Sequence, residues 1–137
     1  MALTKIDRKK DDLKKALASL EVAIEIAPPP LKQGEEELDP LLDLTRNGLL
    51  QKFEYTVELL WKTFQNIYKE EGLDLQTPKN VLRKRFGEIQ LADQDKENLL
   101  SMIDHRNQIA HEYKDYIMME IYPKIGHYLN LMQKIAP

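Results

Sequence analysis

The sequence predicts an all-α protein, an up-and-down antiparallel four-helix bundle with one short additional helix. Apolar residues recur at alternating steps of three and four along most of the chain, which is the period of an amphipathic helix. Glycine is scarce, with 5 in 137 residues, and β-branched runs are few, so a sheet is disfavoured. Long helices joined by short connections are typical of such bundles. The length predicts one domain over residues 1–137.

The first helix is predicted from an apolar stripe that ends at three consecutive prolines, residues 28–30. Proline cannot continue a helix, because it lacks the backbone donor and clashes with the preceding turn. The polar and acidic sequence that follows predicts a flexible loop over residues 28–39. The stripe consists of Leu13, Leu17, Leu20, Ile24 and Ala27.

The second helix has the clearest pattern, and it is predicted to begin at Pro40, with Asp39 as its N-cap, and to end at Gly72. A helix of about 30 residues is roughly 45 Å long. Its apolar seam consists of Leu50, Phe53, Val57, Leu60, Phe64 and Ile67.

Three more helices complete the predicted bundle. A short third helix follows Thr77 and Pro78 and ends near Gly87. The fourth follows "ADQDKE" and is predicted to continue through Tyr113, and the fifth contains Pro123 in its first turns, where the proline starts or kinks it. The fifth helix carries an apolar stripe of Met118, Ile121, Ile125, Tyr128, Met132 and Ile135.

Composition excludes several classes of protein. The chain has no cysteine, and its formal net charge is −3, so binding of DNA through bulk positive charge is not expected. No apolar segment approaches the roughly 20 residues of a transmembrane helix, and the charged N-terminus lacks a signal peptide, which favours the cytoplasm and no membrane partner. The three histidines are not at ligand spacing, so neither a metal nor a cofactor is expected.

The anomaly is "RNQIAHEY" at 106–113, where polar side chains interrupt an apolar stripe. On a continuous helix Arg106 and Tyr113 would share one face, and Asn107 and His111 the adjacent face. Arginine offers a planar fork to a phosphate, and histidine moves protons near neutral pH. The set is therefore a candidate site for metal-independent phosphate chemistry on RNA. The alternative is a structural hydrogen-bond network or a solvated face.

The second helix carries polar residues that are predicted to face this candidate site. Glu54, Glu58 and Lys62 follow one another at steps of four, which either projects two carboxylates and a lysine toward Arg106 or merely stabilises the helix. Trp61 lies beside the apolar seam and either stacks a base or belongs to the core. A basic patch at residues 79–85 either follows an RNA backbone, docks an acidic partner or is simply solvated.

These motifs together resemble a known family. "RNQIAHEY" is similar to the Arg-x4-His-x-Tyr signature of HEPN-domain proteins, and "GLLQKFEYTVELLWKTFQNIYKEEG" at 48–72 is similar to the second helix of nucleotidyltransferase substrate-binding proteins. The resemblance extends through "TPKNVLRKRFGEI" and "EIYPKI", so it covers nearly the whole chain. It implies a HEPN bundle that forms a homodimer, with the two signature sites brought together across its axis.

The resemblance also implies a function. In the toxin–antitoxin members, the HEPN protein is a metal-independent ribonuclease, and a minimal nucleotidyltransferase encoded nearby adds AMP to the signature tyrosine. Carried over, Arg106 binds phosphate, Asn107 supports it, His111 is the general acid or base, and Tyr113 is modified. RNA, either tRNA or mRNA, is then the substrate. Two alternatives remain, a non-catalytic nucleotide- or substrate-binding subunit of that partner and a helical dimerisation module without a site.

Overall fold

Local signals define the ends of the first two helices. The computed structural model describes residues 4–137 of the chain. Helix α1, Lys5–Ile26, starts at a capping box in which Thr4 and Asp7 each bond the other's backbone N–H. Helix α2, Pro40–Glu70, starts where the Asp39 carboxylate accepts a hydrogen bond from Leu41 at 2.9 Å. The predicted start of α2 is confirmed, and its end lies within two residues of the predicted one.

The remaining helices are shorter, and the part of the chain that the structure describes contains no strand. Helix α3 spans Pro78–Phe86 and α4 spans Asp93–Gln108. A single turn α5, Lys114–Tyr116, leads through a π-helical turn and a 3-10 turn into α6, Ile125–Ile135. The all-α helical bundle predicted from the sequence is confirmed.

The core is built from the predicted stripes. On α2, the seam is buried from Leu50 to Phe64, and Phe53 stacks on Tyr128 of α6 with ring centroids 5.8 Å apart. Every residue of the predicted C-terminal stripe, from Met118 to Ile135, is also buried. Fully burying one such side chain contributes about 1.5–3 kcal/mol, so these stripes supply most of the free energy that stabilises the bundle.

Helices α1 and α2 run antiparallel, and an irregular segment joins them. The Lys52 ammonium donates to the Ser19 hydroxyl at 2.7 Å, which fixes their register. In the connecting segment, the buried Arg46 donates to the Pro29 carbonyl at 3.0 Å and pairs with Glu37 at 2.6 Å. The segment therefore packs on α2, and the flexibility expected for it stays a prediction. The predicted domain begins at residue 1, which lies outside the described residues.

The fourth helix differs from the prediction, because α4 ends at Gln108 and the prediction of one helix through Tyr113 is wrong. The fifth helix is interrupted at Pro123, as the sequence predicted. Proline lacks an N–H group, and a π-helical turn, Ile117–Ile121, and a 3-10 turn that contains Pro123, Tyr122–Lys124, precede the regular helix α6. Within residues 4–137, no helix combines the length and apolar character needed to span a bilayer.

Candidate functional site

Arg106 lies where the last turn of α4 packs against the middle of α2. Glu54 and Glu58 project from α2 one helical turn apart, so both carboxylates face the same guanidinium. Arg106 Nη1 is 4.0 Å from Glu54, and Arg106 Nε is 3.6 Å from Glu58. The structure therefore brings Arg106 together with both carboxylates, the first of the two alternatives that the sequence left open for this ladder.

The Arg106 guanidinium is incompletely satisfied by these carboxylates. Its side chain is 29% exposed, yet the Nε atom is buried and has no hydrogen-bond partner. The distance of 3.6 Å to Glu58 is too long for a hydrogen bond. A buried donor without an acceptor costs free energy, and an additional anionic or carbonyl oxygen can reach only the exposed part of the guanidinium.

Glu58 is held by two neighbouring side chains of its own helix. The Trp61 indole donates to Glu58 at 3.1 Å, and the Lys62 ammonium pairs with it at 3.0 Å. Burial alone would raise the pKa of Glu58, but these bonds and the nearby positive charges of Lys62 and Arg106 outweigh burial and lower it. Trp61 and Lys62 therefore act on the site by holding Glu58. With its lowered pKa, the Glu58 carboxylate is ionised at neutral pH.

Glu54 has the opposite shift. Its partial burial raises its pKa, and the charge of Arg106 opposes this effect only in part. The two carboxylates on one face of α2 thus differ in how readily they bind a proton. Neighbouring carboxylates whose pKa values differ are typical of sites where one acts as a base and the other as an acid.

Asn107 lies on the last turn of α4, but His111 and Tyr113 lie beyond the end of the helix. His111 belongs to the turn that follows α4, and Tyr113 is extended, with φ −69° and ψ 152°. The prediction that Arg106 and Tyr113 share a helix face is therefore wrong. Asn107 and His111 are exposed, and the Tyr113 side chain is 87% exposed. No hydrogen bond or ion pair in residues 4–137 connects these three side chains to Arg106.

The turn that follows α4 contains no glycine or proline, and local hydrogen bonds to Gln108 hold it. The backbone N–H groups of His111 and Glu112 both donate to the Gln108 carbonyl, at 3.0 and 2.8 Å. The Tyr116 hydroxyl donates to the Gln108 side chain at 3.0 Å and closes the turn. The two backbone bonds lie within the segment that the sequence pattern assigned to the fourth helix, and only the Tyr116 bond joins it to the fifth, so periodicity alone did not reveal the turn.

A polar cleft of about 470 Å³ extends from Glu54 between α2 and this turn. Lys114 and Asp43 face each other across it at 3.4 Å. Sequence analysis missed this cleft, although Asp43, Asn47 and Gln51 precede Glu54 on one face of α2 and extend the predicted ladder. The cleft is lined by Asp43, Asn47, Leu50, Gln51, Glu54, Ile109, Glu112, Lys114, Ile117 and Met118.

The basic patch on α3 is largely engaged in structural contacts. Arg85 donates to the Ile135 carbonyl at 2.9 Å and stacks 5.0 Å from the Phe64 ring centroid, which ties α3 to the end of α6. Lys79 pairs with Asp104 at 2.8 Å, and Lys84 approaches Glu88 at 3.7 Å. Arg85 therefore docks α3, whereas Lys79 and Lys84 are more than one-third exposed, and the alternatives for the rest of the patch stay predictions.

His105 faces away from the site. It packs against α6, where its Nδ1 atom lies 2.6 Å from the Tyr128 hydroxyl. Among residues 4–137, no group of three or more histidine, cysteine or carboxylate side chains is placed to hold a metal ion.

Fold and site together define the class of this protein: a HEPN-like helical bundle whose signature arginine is held beside carboxylates of the second helix. The chain belongs to the family described as nucleotidyltransferase substrate binding protein like, whose model matches residues 8–136. A crystal structure of a protein from Thermus thermophilus is similar at 31% identity and a TM-score of 0.67. The similarity covers 90% of this chain and 94% of that chain. No curated protein matches the chain.

Proposed function

We propose that this chain is a HEPN-type toxin of a toxin–antitoxin pair, a metal-independent RNA endonuclease that a minimal nucleotidyltransferase neutralises. The observation that carries the proposal is the Arg106 guanidinium, which is 29% exposed and incompletely satisfied by the two carboxylates that flank it. Membership of the family supports the association with a nucleotidyltransferase. The same proposal includes a homodimer, a nucleotidyltransferase encoded nearby, a cytoplasmic location and RNA, either tRNA or mRNA, as the substrate.

The chemistry follows from the residues at the end of α4. Arg106 would bind the scissile phosphate through its fork, and Asn107 would donate to the same phosphate. The RNA 2′-hydroxyl supplies the nucleophile, so its oxygen bonds to phosphorus while the bond to the 5′-oxygen breaks. His111, exposed on the adjacent turn, would move the proton between solvent and the reacting oxygens.

Neutralisation would act at Tyr113. Its phenolic oxygen would attack the α-phosphate of ATP held by the partner, which forms a tyrosyl–AMP ester and releases pyrophosphate. The exposure of Tyr113 supports this step, because a side chain that projects from a turn is reachable by another enzyme's active site. The added AMP would place a phosphate and a nucleoside beside the RNA-binding turn and compete with RNA for Arg106.

A second candidate function is a non-catalytic nucleotide- or substrate-binding subunit of the nucleotidyltransferase. The polar cleft favours it, because Asn47 and Gln51 offer amides that recognise a base or sugar without any proton transfer. The carboxylates beside Arg106 also favour it, since they already supply negative charge where an RNA phosphate would have to bind. In this function, Arg106 would hold the ligand while His111 and Tyr113 had no chemical role.

The test is cleavage of total tRNA in EDTA by protein produced without any nucleotidyltransferase, with Tyr113 confirmed unmodified by intact mass. Wild type is compared with His111→Ala and with His127→Ala, a matched control because His127 is also exposed but lies on α6. The ribonuclease proposal expects cleavage by wild type and His127→Ala, and none by His111→Ala. Equal cleavage by all three contradicts it, and absence of cleavage by all three favours the binding subunit.

A further inference from the structure

One end of the bundle carries exposed apolar side chains from α1, α2 and the segment that joins them. Ile26, on the last turn of α1, is 71% exposed, and Leu41, on the first turn of α2, is 68% exposed. Leu38, two residues before the start of α2, is 84% exposed. We call these three side chains the end patch. Large apolar side chains that cluster on a surface are typical of a site where a partner binds.

The register of α1 and α2 places the end patch on one surface. Ser19 and Lys52 are bonded at 2.7 Å, so these two residues are level in the antiparallel pair. Ile26 lies seven residues after Ser19 on the same side of α1. Thr45 lies seven residues before Lys52 on the same side of α2, so it is level with Ile26. The Thr45 hydroxyl donates to the Leu41 carbonyl at 2.8 Å, so Ile26 and Leu41 are about one helical turn apart.

Acidic residues surround the end patch. Residues 21–46 contain seven aspartates and glutamates but only Lys32 and Arg46 as cations, so this stretch has a formal charge of −5. Because the whole chain carries −3, the rest of the chain carries +2. Arg46 is buried and pairs with Glu37, and Lys114 pairs with Asp43. The exposed carboxylates of the stretch that form no ion pair within residues 4–137 are Glu21, Glu25, Glu35, Glu36 and Asp39.

We propose that the end patch is the docking surface for a partner protein that presents apolar side chains surrounded by lysines and arginines. An apolar centre with a charged rim is the usual anatomy of a protein interface, and this acidic rim is complementary to a basic one. The same carboxylates repel the phosphates of RNA. A second copy bound through the same patch would bring two acidic rims together, which like-charge repulsion disfavours.

This inference rests on the proposed function, because it takes the partner to be the nucleotidyltransferase that modifies Tyr113. Lys114 follows Tyr113 directly and contacts Asp43 at 3.4 Å. Asp43 is two residues from Leu41, so Tyr113 lies at the same end of the bundle as the end patch. A specific interface involves about 20–30 residues on each side. An enzyme centred on the end patch therefore extends past the first turn of α2 and reaches Tyr113.

The end patch is separate from the surface around Arg106. Leu41 lies on the same side of α2 as Lys52, which bonds α1, whereas Glu54 faces Arg106 of α4. At 100° per residue, the side chains of Leu41 and Glu54 are about 140° apart around α2. A homodimer that brings the two signature sites together can therefore form without covering the end patch.

The test measures binding of the purified nucleotidyltransferase encoded beside this chain to wild type, Ile26→Lys and Leu38→Lys by biolayer interferometry. Each substitution places a cation opposite the basic rim of the partner, and both side chains are exposed, so circular dichroism should show an unchanged fold. We expect the dissociation constant to rise at least about tenfold, as at the centre of an interface. Leu73→Lys is the matched control, because Leu73 is exposed and adjacent to Asp74 but lies beyond the end of α2.

Two further measurements test the charges and the link to Tyr113. Raising NaCl from about 0.05 M to about 0.5 M should weaken wild-type binding several-fold, because salt screens exposed charges. The double variant Glu35→Gln/Glu36→Gln should bind more weakly and show a smaller salt effect. Its matched control is Glu70→Gln/Glu71→Gln, an exposed pair at the other end of α2, which should behave as wild type. Transfer of AMP, followed by intact mass, should be slowed in Ile26→Lys and not in Leu73→Lys.

The outcomes separate this inference from the proposed function. Unchanged binding by Ile26→Lys and Leu38→Lys overturns the docking surface and leaves the nucleotidyltransferase as the partner. A wild-type chain that neither binds the nucleotidyltransferase nor receives AMP overturns the docking surface and the proposed neutralisation together, while RNA cleavage is measured separately. An oligomer of the chain alone that Ile26→Lys dissociates would identify a second copy as the occupant and overturn the inference.

Discussion

The Glu58 carboxylate lies 3.6 Å from Arg106 Nε, and the same carboxylate accepts a hydrogen bond from Trp61 at 3.1 Å. Two helices that are distant in sequence thus meet at one charged pair. Because Glu58 is also paired with Lys62, it is held in place, and it positions the arginine without satisfying all of its donors.

Glu58→Gln should strengthen binding of AMP to the Arg106 site by a few-fold. The substitution removes a negative charge that competes for the guanidinium, and the effect is modest because both side chains are about one-third exposed and screened by water. Isothermal titration calorimetry measures it, with Arg106→Ala expected to abolish binding. Glu70→Gln, near the exposed end of α2, is the matched control. Weaker AMP binding by Glu58→Gln would mean that the carboxylate itself contacts the ligand.

Phe53→Ala should lower the free energy of unfolding by about 3–5 kcal/mol, which is typical of truncating a fully buried aromatic ring. Phe53 is fully buried, and its loss leaves a cavity against Tyr128 of α6. Urea denaturation followed by circular dichroism measures the change. Met119→Ala, which truncates an exposed side chain, should change the same quantity by less than about 0.5 kcal/mol. Equal effects of the two substitutions would contradict the assigned core.

Stability should fall as the pH decreases from about 7.5 to 5.5. Burial, followed by the charge of Lys124, lowers the pKa of His105 in the folded state, although Asp104 and Glu120 act in the opposite direction. The unfolded chain therefore binds the proton more tightly, and the contribution of neutral His105 is lost below the ordinary histidine pKa of about 6.5.

His105→Gln should flatten this pH dependence, because a glutamine does not titrate and still offers an acceptor to the Tyr128 hydroxyl. Urea midpoints at the two pH values measure the dependence. His127→Gln, at an exposed position, should leave it as in the wild type. If the pH dependence of stability persists in His105→Gln, other titratable groups cause it.

Arg46→Ala should release the segment that joins α1 to α2. The buried guanidinium holds both the Pro29 carbonyl and the Glu37 carboxylate, and no other described side chain bonds to both. Cleavage by a protease specific for glutamate, within Glu35–Glu37, should become at least several-fold faster while helix content is retained. Lys52→Ala, which removes an exposed bond to Ser19, should leave the cleavage rate unchanged. Unchanged cleavage in Arg46→Ala would show that the segment is held by other contacts.

Much of the fold follows from local signals. The start of α2 depends on the adjacent residues Asp39 and Pro40, and the seam from Leu50 to Phe64 is buried because apolar side chains at helical spacing share one face. The end of α4 did not follow, because the turn after Gln108 is held by local backbone bonds and by the Tyr116 hydroxyl, and none of these leaves a signal in the apolar pattern. Periodicity continues through this turn without a glycine or proline to mark it.

The candidate site also combines features that the sequence shows with features that only the tertiary structure decides. The residue types of "RNQIAHEY" and the ladder of Glu54 and Glu58 are visible in the sequence, but helical spacing left open whether the carboxylates face Arg106 or merely stabilise α2. The separation of Tyr113 from that face, the unsatisfied Nε of Arg106 and the cleft beside Glu54 were decided by tertiary structure. The physical reason is that spacing determines which side chains share a helix face, whereas distances and burial depend on how separate helices pack.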